Sequence, residues 1–417
     1  MNQLNHLVVI GGGAAGYFCA VNAARLNPLL QVTIVERSAR VLQKVKVSGG
    51  GRCNVTHACF EISKMTRRYP RGEKFLKKAF NHFFTTDTIR WFEERGVMLK
   101  TEDDGRMFPA TDSSQTIIDC LLAEANKYGV KLRLNAIVKS IDYHNSKWNI
   151  ECSAGDKMQA DYLCIASGGF AKTDQFSWIT KPTGHTVASP VPSLFTFNLP
   201  NHPIRKLMGV TALNAQVKIA GSRLVTEGPV LITHWGLSGP GVLKMSAFAA
   251  RELADKNYNY TVIINWLPDF NENTLREKVY QHRQLKGNQK LINTEWIGLP
   301  QRLWEFLLVQ SGIDLESRWA DLPAAEQNKL IKNLCGYEMQ AKGKTTFKEE
   351  FVTAGGISLN EIDVNSMASK LKPQLFFAGE IVDIDGITGG YNFQNAWTTG
   401  FIAAKAIASQ HGSKQPV

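Results

Sequence analysis

Short apolar runs alternate with stretches of helical period along the first third of the chain. Leu7-Val8-Val9-Ile10 has no polar interruption, the pattern of a strand buried on both faces. It runs into Gly11-Gly12-Gly13-Ala14-Ala15-Gly16, after which a helical pattern continues through Arg25. A β-branched run, Gln31–Val35, closes on Glu36, about 20 residues beyond Gly16. Further on, the spacing predicts helices over Phe75–Phe84, Thr86–Glu94 and Ser114–Tyr128, with a hairpin-like turn at Glu102–Pro109 between the last two. Strands are expected at Val130–Leu134 and from Ala136 to Ile141, and Lys147–Ser153 with Lys157–Asp161 reads as a hairpin. Tyr162–Ile165 is a second buried strand, ending in Ala166-Ser167-Gly168-Gly169.

The pattern changes near residue 190. Leu194–Leu199, Val210–Ile219, Arg223–Thr226 and Val262–Trp266 alternate as strands of an antiparallel sheet, and 271–333 is helical and polar. Gly228–Pro240, punctuated by glycine and proline, is expected as an ordered loop, and Ala354–Ile357 as a turn. Leu375–Glu380 reads as a last buried strand, and Gly389-Gly390 opens the last helix. The domains predicted are 1–189 with 346–417, a β-rich insertion at 190–270 with 334–345, and a helical subdomain at 271–333.

The first unit is G-x-G-x-x-G between two strands, with an acid at its end, which is the arrangement that holds a dinucleotide. Gly11 permits the tight turn, Gly13 lets a pyrophosphate approach the backbone, and Gly16 lets the helix lie on the sheet. Ala14 and Ala15 begin the helix, whose N-terminal N–H groups face the anion. Glu36 can accept from a ribose and disfavours a 2′-phosphate, so FAD or NAD is favoured over NADP. A glycine-rich turn in an unrelated α/β protein would lack the flanking strands and the acid. Ser48-Gly49-Gly50-Gly51-Arg52-Cys53-Asn54 follows. Its glycines let backbone amides approach a flat or anionic group, Arg52 can neutralise phosphate, and Asn54 can hold the loop. Arg37 and Lys44 are assigned to the same cofactor. A mobile surface loop would carry a similar composition.

SGGGRCNVT resembles the signature of the BaiN/YhiN-like flavoproteins, and motifs in the same order extend the resemblance over essentially the whole chain. The resemblance implies an α/β fold: a Rossmann-type FAD-binding domain of the glutathione-reductase-like kind, with an inserted β-barrel-like domain carrying a helical subdomain. It implies FAD, with Ser48–Asn54 along the cofactor. Gly-Arg-Met-Phe-Pro at 105–109 matches a segment near the active-site cavity, so Arg106 and Phe108 are candidate substrate contacts or structural residues. By similarity to flavoproteins like glutathione reductase, backbone at Val138 bonds the adenine. Ser167, Gly168 and Gly169 pass close to FAD, with serine where threonine is common. Gly379 and Glu380 meet the ribitol. Gly390, Tyr391, Asn392 and Gln394 open a helix aimed at the flavin N1/O2 edge, where it would stabilise negative charge. Thr233-His234 and Gly236-Leu237-Ser238-Gly239-Pro240 match a further family motif, which makes His234 a candidate proton donor. Cys53 is the second candidate. For either residue a purely structural role is the competing assignment.

Composition adds bounds. Hydrophobic residues are 44% and charged residues 20% of 417, ordinary for an enzyme. No run approaches the roughly 20 apolar residues needed to cross a bilayer. The chain enters its first strand almost at once, leaving no room for a signal peptide, so a cytoplasmic protein without a membrane partner is expected. The seven cysteines include no C-x-x-C pair, so neither a metal site nor a dithiol is expected. The net charge of +11 admits RNA, an anionic substrate or simple solubility. The basic run Lys64, Arg67, Arg68, Arg71, Lys74, Lys77 and Lys78, interleaved with Tyr69 and Phe75, is either an RNA contact or a solvated helix face. No second G-x-G-x-x-G follows a strand, so NADH or NADPH would visit the flavin transiently as reductant. The family is linked to reduction of C=C bonds in small apolar molecules, to oxidation of small amines, and to reduction of uridine in ribosomal RNA to dihydrouridine. The basic run favours RNA among these. A non-enzymatic flavin-containing binding protein is the remaining alternative, and the oligomeric state is left open.

Overall fold

The computed structural model describes residues 4–153, 155–345 and 352–410. The chain divides into two compact units, Met1–Ser193 with Lys348–Val417, and Leu194–Phe347. The expected changes of domain were at 189/190 and 345/346, and residue 346 lies outside the described residues.

The first unit is built on a five-stranded parallel sheet in the order Leu375–Phe377, Tyr162–Ile165, His6–Ile10 (β1), Gln31–Val35 (β2), Lys131–Arg133. Leu7, Val8 and Val9 have no exposure, which is why β1 is continuously apolar rather than alternating. Helix α1, Ala14–Leu26, follows the glycine turn. A Cβ on Gly16 would lie 1.9 Å from the Gly11 carbonyl oxygen, so only glycine lets this helix start so close to the turn. α1 packs along the last helix, Tyr391–Ser409. Phe18 of α1 sits among Phe83, Trp91 and Trp397, at ring separations of 5.5, 4.6 and 5.1 Å. Burying each such ring contributes about 2 kcal/mol. The polar edges are satisfied: Trp91 Nε1 donates to Asn22 at 3.0 Å, and Trp397 Nε1 to the Val55 carbonyl at 2.9 Å.

Two small antiparallel sheets flank this framework, one formed by Thr56–His57, Leu99–Thr101 and Arg106–Pro109, the other by Val138–His144, Lys147–Cys152 and Lys157–Ala160. The helix expected over Phe75–Phe84 is shorter, Glu73–Ala79, and a new one begins at Thr85. Ala354–Ile357 is not the expected turn but part of a strand, Val352–Ile357, paired with Val187–Ser193. Its two glycines are there for close approach: a Cβ on Gly355 would come within 2.7 Å of the Ala188 carbonyl oxygen, and one on Gly356 within 2.5 Å of that of Ile381.

The second unit is a seven-stranded antiparallel sheet in the order Tyr337–Lys342, Asn259–Asn265, Thr211–Ile219, Val225–Ile232, Gly236–Ser238, Thr196–Asn198, Lys344–Thr345. Its first and last strands are separated in sequence only by Gly343, so the sheet curls back on itself as a barrel does. The stretch Gly228–Pro240, expected as a loop, is instead the end of one strand, a tight turn, a second strand and the start of the helix Pro240–Phe248. Helices Glu272–Lys286, Gln301–Gln310 and Ala324–Cys335 occupy the polar segment, and Leu303, Leu307, Leu330 and Leu334 join the same core as the strands. Among the described residues no helix is long and apolar enough to cross a membrane.

Candidate functional site

The start of α1 has no side-chain cap, and its Ncap residue, Gly13, has φ −90° and ψ −172°. The helix therefore presents free N–H groups, with the positive end of its dipole behind them. A Cβ on Gly13 would meet nothing within 4 Å, and the same is true at Gly51 and Gly168. The Ser167 hydroxyl is buried with no hydrogen-bond partner. The turn itself is fixed from behind. Gly11 N–H donates to the Val35 carbonyl at 2.8 Å. Glu36 Oε2 accepts from Gly12 N–H at 2.7 Å, and Oε1 from Ser38 N–H and Oγ at 2.9 and 2.8 Å. Oε1 is filled by these two bonds, but Oε2 keeps a further lone pair, so capacity for a ribose hydroxyl is left. Arg37 is exposed, and Val138 is half-buried opposite Cys152 at the edge of its sheet.

The next cofactor candidates form a second wall. Helix α2, Gln43–Gly51, leaves helical geometry at Ser48, Gly49 and Gly50. Arg52 closes this turn but is already engaged: its guanidinium lies 4.0 Å over the Phe108 ring and pairs with Glu102 at 2.5 Å. Arg106 pairs with Glu102 at 2.9 Å and Asp104 at 2.6 Å. Phe108 has no exposure, so it supports Arg52 and Gly49 from beneath. Cys53 is equally buried, and burial pushes its thiol up to about 12, so it stays protonated at neutral pH. Asn54 donates to the Thr56 carbonyl and accepts from Gly390 N–H, both at 3.0 Å.

Gly390, at φ +91°, is the Ncap of the last helix. The loop before it is held by Asn392, which accepts from Gly386 N–H at 2.8 Å and donates to its carbonyl at 2.9 Å. Tyr69 OH donates to the Tyr391 carbonyl at 2.7 Å. The Gln394 side chain lies inside the fold, accepting from Thr56 and Thr88 hydroxyls at 2.6 and 3.0 Å and donating to Thr398 at 3.1 Å. Glu380 Oε1 accepts from Thr353 N–H at 3.0 Å, and Oε2 pairs with Lys44 at 2.6 Å. Gly379 N–H donates to Thr399 at 2.9 Å. Segments near both ends of the sequence thus meet through the Asn54–Gly390 and Lys44–Glu380 contacts.

Two sets of contacts here are not foreseen from the sequence. Arg71 is nearly buried and pairs with the fully buried Asp385, which also accepts from Ser193 Oγ at 2.8 Å. Asp385 lies just before the Gly389-Gly390 turn, but only tertiary structure shows that a member of the basic run is its partner. His57 lies 3.1 Å from the Gly389 carbonyl through Nδ1 and stacks on Tyr391 at 4.8 Å. Burial holds its pKa below 6.5. The unfolded chain therefore takes up a proton near pH 6.5 that the folded one resists, and stability falls as pH drops below that value. His57→Gln is expected to flatten this slope, read as the difference in urea midpoint between pH 7.5 and 5.5; an unchanged slope would mean that other histidines carry it.

The remaining predicted residues lie elsewhere. His234 is exposed on a turn of the second unit. In the basic run, Arg67, Arg68, Lys74, Lys77 and Lys78 are exposed, Lys64 pairs with Glu61 at 2.7 Å, and Arg71 is committed to Asp385. Tyr69 is 1% exposed, so it does not interleave with the surface cations as the sequence suggested; the short helices turn it inward.

Comparison with known proteins adds the following. A family model described as the HI0933-like protein Rossmann domain matches residues 5–406. A ribosomal RNA dihydrouridine synthase of Escherichia coli K12 is 30% identical over 97% of this chain and 98% of its own. A 3-dehydro-bile acid delta(4,6)-reductase of Clostridium scindens is 27% identical over 98% of this chain and 100% of its own. The crystal structure of a 3-ketosteroid-delta4-(5alpha)-dehydrogenase from Rhodococcus jostii RHA1 shares the fold at TM-score 0.50 and 14% identity, covering 98% of both chains.

Proposed function

This chain belongs to the HI0933-like Rossmann family of FAD-dependent oxidoreductases, and from that premise we propose that it reduces the C5=C6 bond of a uridine in ribosomal RNA to give dihydrouridine. The observation that carries this is the end-to-end likeness to the E. coli synthase. The exposed Arg67, Arg68, Lys74, Lys77 and Lys78 support it, since cations on one short segment suit a polyanion.

The residues present fit FAD. The uncapped α1 terminus and the open face of Gly13 suit a pyrophosphate, and Ser167 offers a hydroxyl with no other partner. When bound, FAD supplies hydride transfer. The protein's own tasks are then orientation and protonation. In uracil the C4 carbonyl polarises C5=C6, so hydride is accepted at C6 and a proton is needed at C5. We assign that proton to His234, an exposed side chain of a residue type that can donate a proton to carbon in concert with hydride transfer. Cys53 is the weaker donor, because its buried thiol does not release a proton until about pH 12. NADH or NADPH is proposed as the reductant, visiting transiently. A ribosomal substrate would place the enzyme in the cytoplasm. A second reading, reduction of a conjugated C=C in a small apolar molecule, has the C. scindens relative in its favour.

The test is mass spectrometry of digested ribosomal RNA from a deletion strain. One dihydrouridine should disappear. It should return with the intact chain and stay absent with Gly13→Val, with His234→Ala restoring little of it. Unchanged dihydrouridine in the deletion strain would overturn the proposal and leave the conjugated small-molecule reading to be tested by flavin bleaching with enones.

A further inference from the structure

The second unit presents Trp235 to solvent in a manner its own packing does not explain. Trp266, Trp304 and Trp319 of the same unit are 1%, 2% and 0% exposed, whereas Trp235 is 45% exposed. It sits in a turn whose backbone is hydrogen-bonded at each residue. Thr233 N–H donates to the Gly236 carbonyl at 2.8 Å, and Thr233 Oγ1 accepts from Trp235 and Gly236 N–H at 3.3 and 3.2 Å. The Trp235 carbonyl accepts from Leu199 N–H at 2.9 Å, and the His234 carbonyl from Arg205 Nε at 2.6 Å. A Cβ on Gly236 would lie 2.1 Å from the Phe197 carbonyl oxygen, so the turn is also pressed against the neighbouring strand. The backbone is fixed, and the apolar ring is held out.

Its surroundings are cationic and aromatic. The His234 ring stands 4.5 Å from the indole at 44°. Arg205 reaches the turn, exposed Lys206 follows it, and exposed Arg302 donates to the Lys206 carbonyl at 2.9 Å. None of these three cations is paired with a carboxylate among the described residues. A half-exposed indole on a braced turn, with unpaired Arg and Lys on the segment that braces it, has the components by which proteins hold single-stranded nucleic acid: bases stack on a ring and phosphates meet cations. A protein partner of mixed charge would not require three unpaired cations on and against the one segment that braces the turn.

We propose that the Thr233–Gly236 turn is a stacking platform for single-stranded RNA, with one base on Trp235 and the flanking phosphates at Arg205, Lys206 and Arg302. This rests on the RNA reading above and deepens it: the stacked base lies beside His234, the residue assigned to protonation.

The test is fluorescence anisotropy of a fluorescein-labelled, uridine-rich single-stranded RNA oligonucleotide with the FAD-loaded protein, alongside the dihydrouridine assay. Trp235→Ala should weaken binding about 10- to 100-fold. Trp235→Phe should stay within a few-fold of the wild type, because a ring is retained. Lys206→Ala with Arg302→Ala should weaken binding and lower its dependence on salt. Flavin absorbance and melting temperature check that each variant is folded. Equal binding by wild type and Trp235→Ala, or no binding by the wild type, overturns the platform. RNA binding that depends on Trp235, without any dihydrouridine formed, leaves the platform standing and removes the proposed reaction.

Discussion

Gly13→Val is expected to fold as the wild type does and to lose FAD. At φ −90° and ψ −172° the backbone is in the extended region that a β-branched residue prefers, and a Cβ there meets no heavy atom within 4 Å. In the protein alone the added Cβ meets no clash. The space it fills lies at the uncapped N-terminus of α1, where a pyrophosphate would accept from the backbone. Affinity for FAD should fall about 100-fold, equivalent to roughly 2.7 kcal/mol. The comparison is Gly16→Val, whose Cβ would lie 1.9 Å from a backbone oxygen and which should fail to fold. Circular-dichroism melts of the apo forms separate the two, and calorimetric titration with FAD reads the affinity. Wild-type affinity in Gly13→Val would mean that the pyrophosphate lies elsewhere.

Arg71→Met is expected to cost about 3–5 kcal/mol of folding stability. The substitution leaves Asp385, which has no exposure, with Ser193 Oγ as its remaining hydrogen-bond donor through the side chain. The cost is that of an uncompensated buried charge rather than the worth of the pair. The double variant Arg71→Met with Asp385→Leu should therefore recover most of the loss, because it removes both charges. Urea unfolding of the three proteins decides it. A loss below about 1 kcal/mol in the single variant would mean that water reaches the carboxylate and the pair behaves as a surface pair. The pair also ties the segment before Glu73 to the loop before the last helix, so flavin content should fall with stability.

What could be read in the sequence, and what could not, divides by the range of the interaction concerned. β1, α1 and β2 were legible because a strand buried on both faces, a glycine turn and a helix each leave a local pattern. The hairpin around Gly105 and the helix from Ser114 were legible for the same reason. Ala354–Ile357 looked like a turn because two adjacent glycines usually mark one. In this fold they make room for carbonyls that come from 188 and 381, and no local pattern records that. Gly228–Pro240 misled similarly, since its glycines serve strand and helix junctions. In the site, the backbone candidates sit where the chain is open, but the side chains near them answer to distant partners. Arg52 is held by Phe108 and Glu102, Gln394 by three threonines, and Arg71 by Asp385. His57 gave no signal beyond following the SGGGRCNVT stretch. Its importance lies in a carbonyl and a ring that come from 389 and 391.

Asn54 grips the amide of Gly390, Lys44 pairs with Glu380, and Trp397 bonds Val55 across 342 residues of sequence. During synthesis the first half of this cradle leaves the ribosome long before the second half exists. The early strands and α1 can form, but the amides of the last helix are absent until the final residues have emerged. Contacts of such long sequence separation form late in folding. FAD would therefore be captured by a completed chain rather than a growing one, and a truncated product lacking the last helix would be recognisable by its lack of colour.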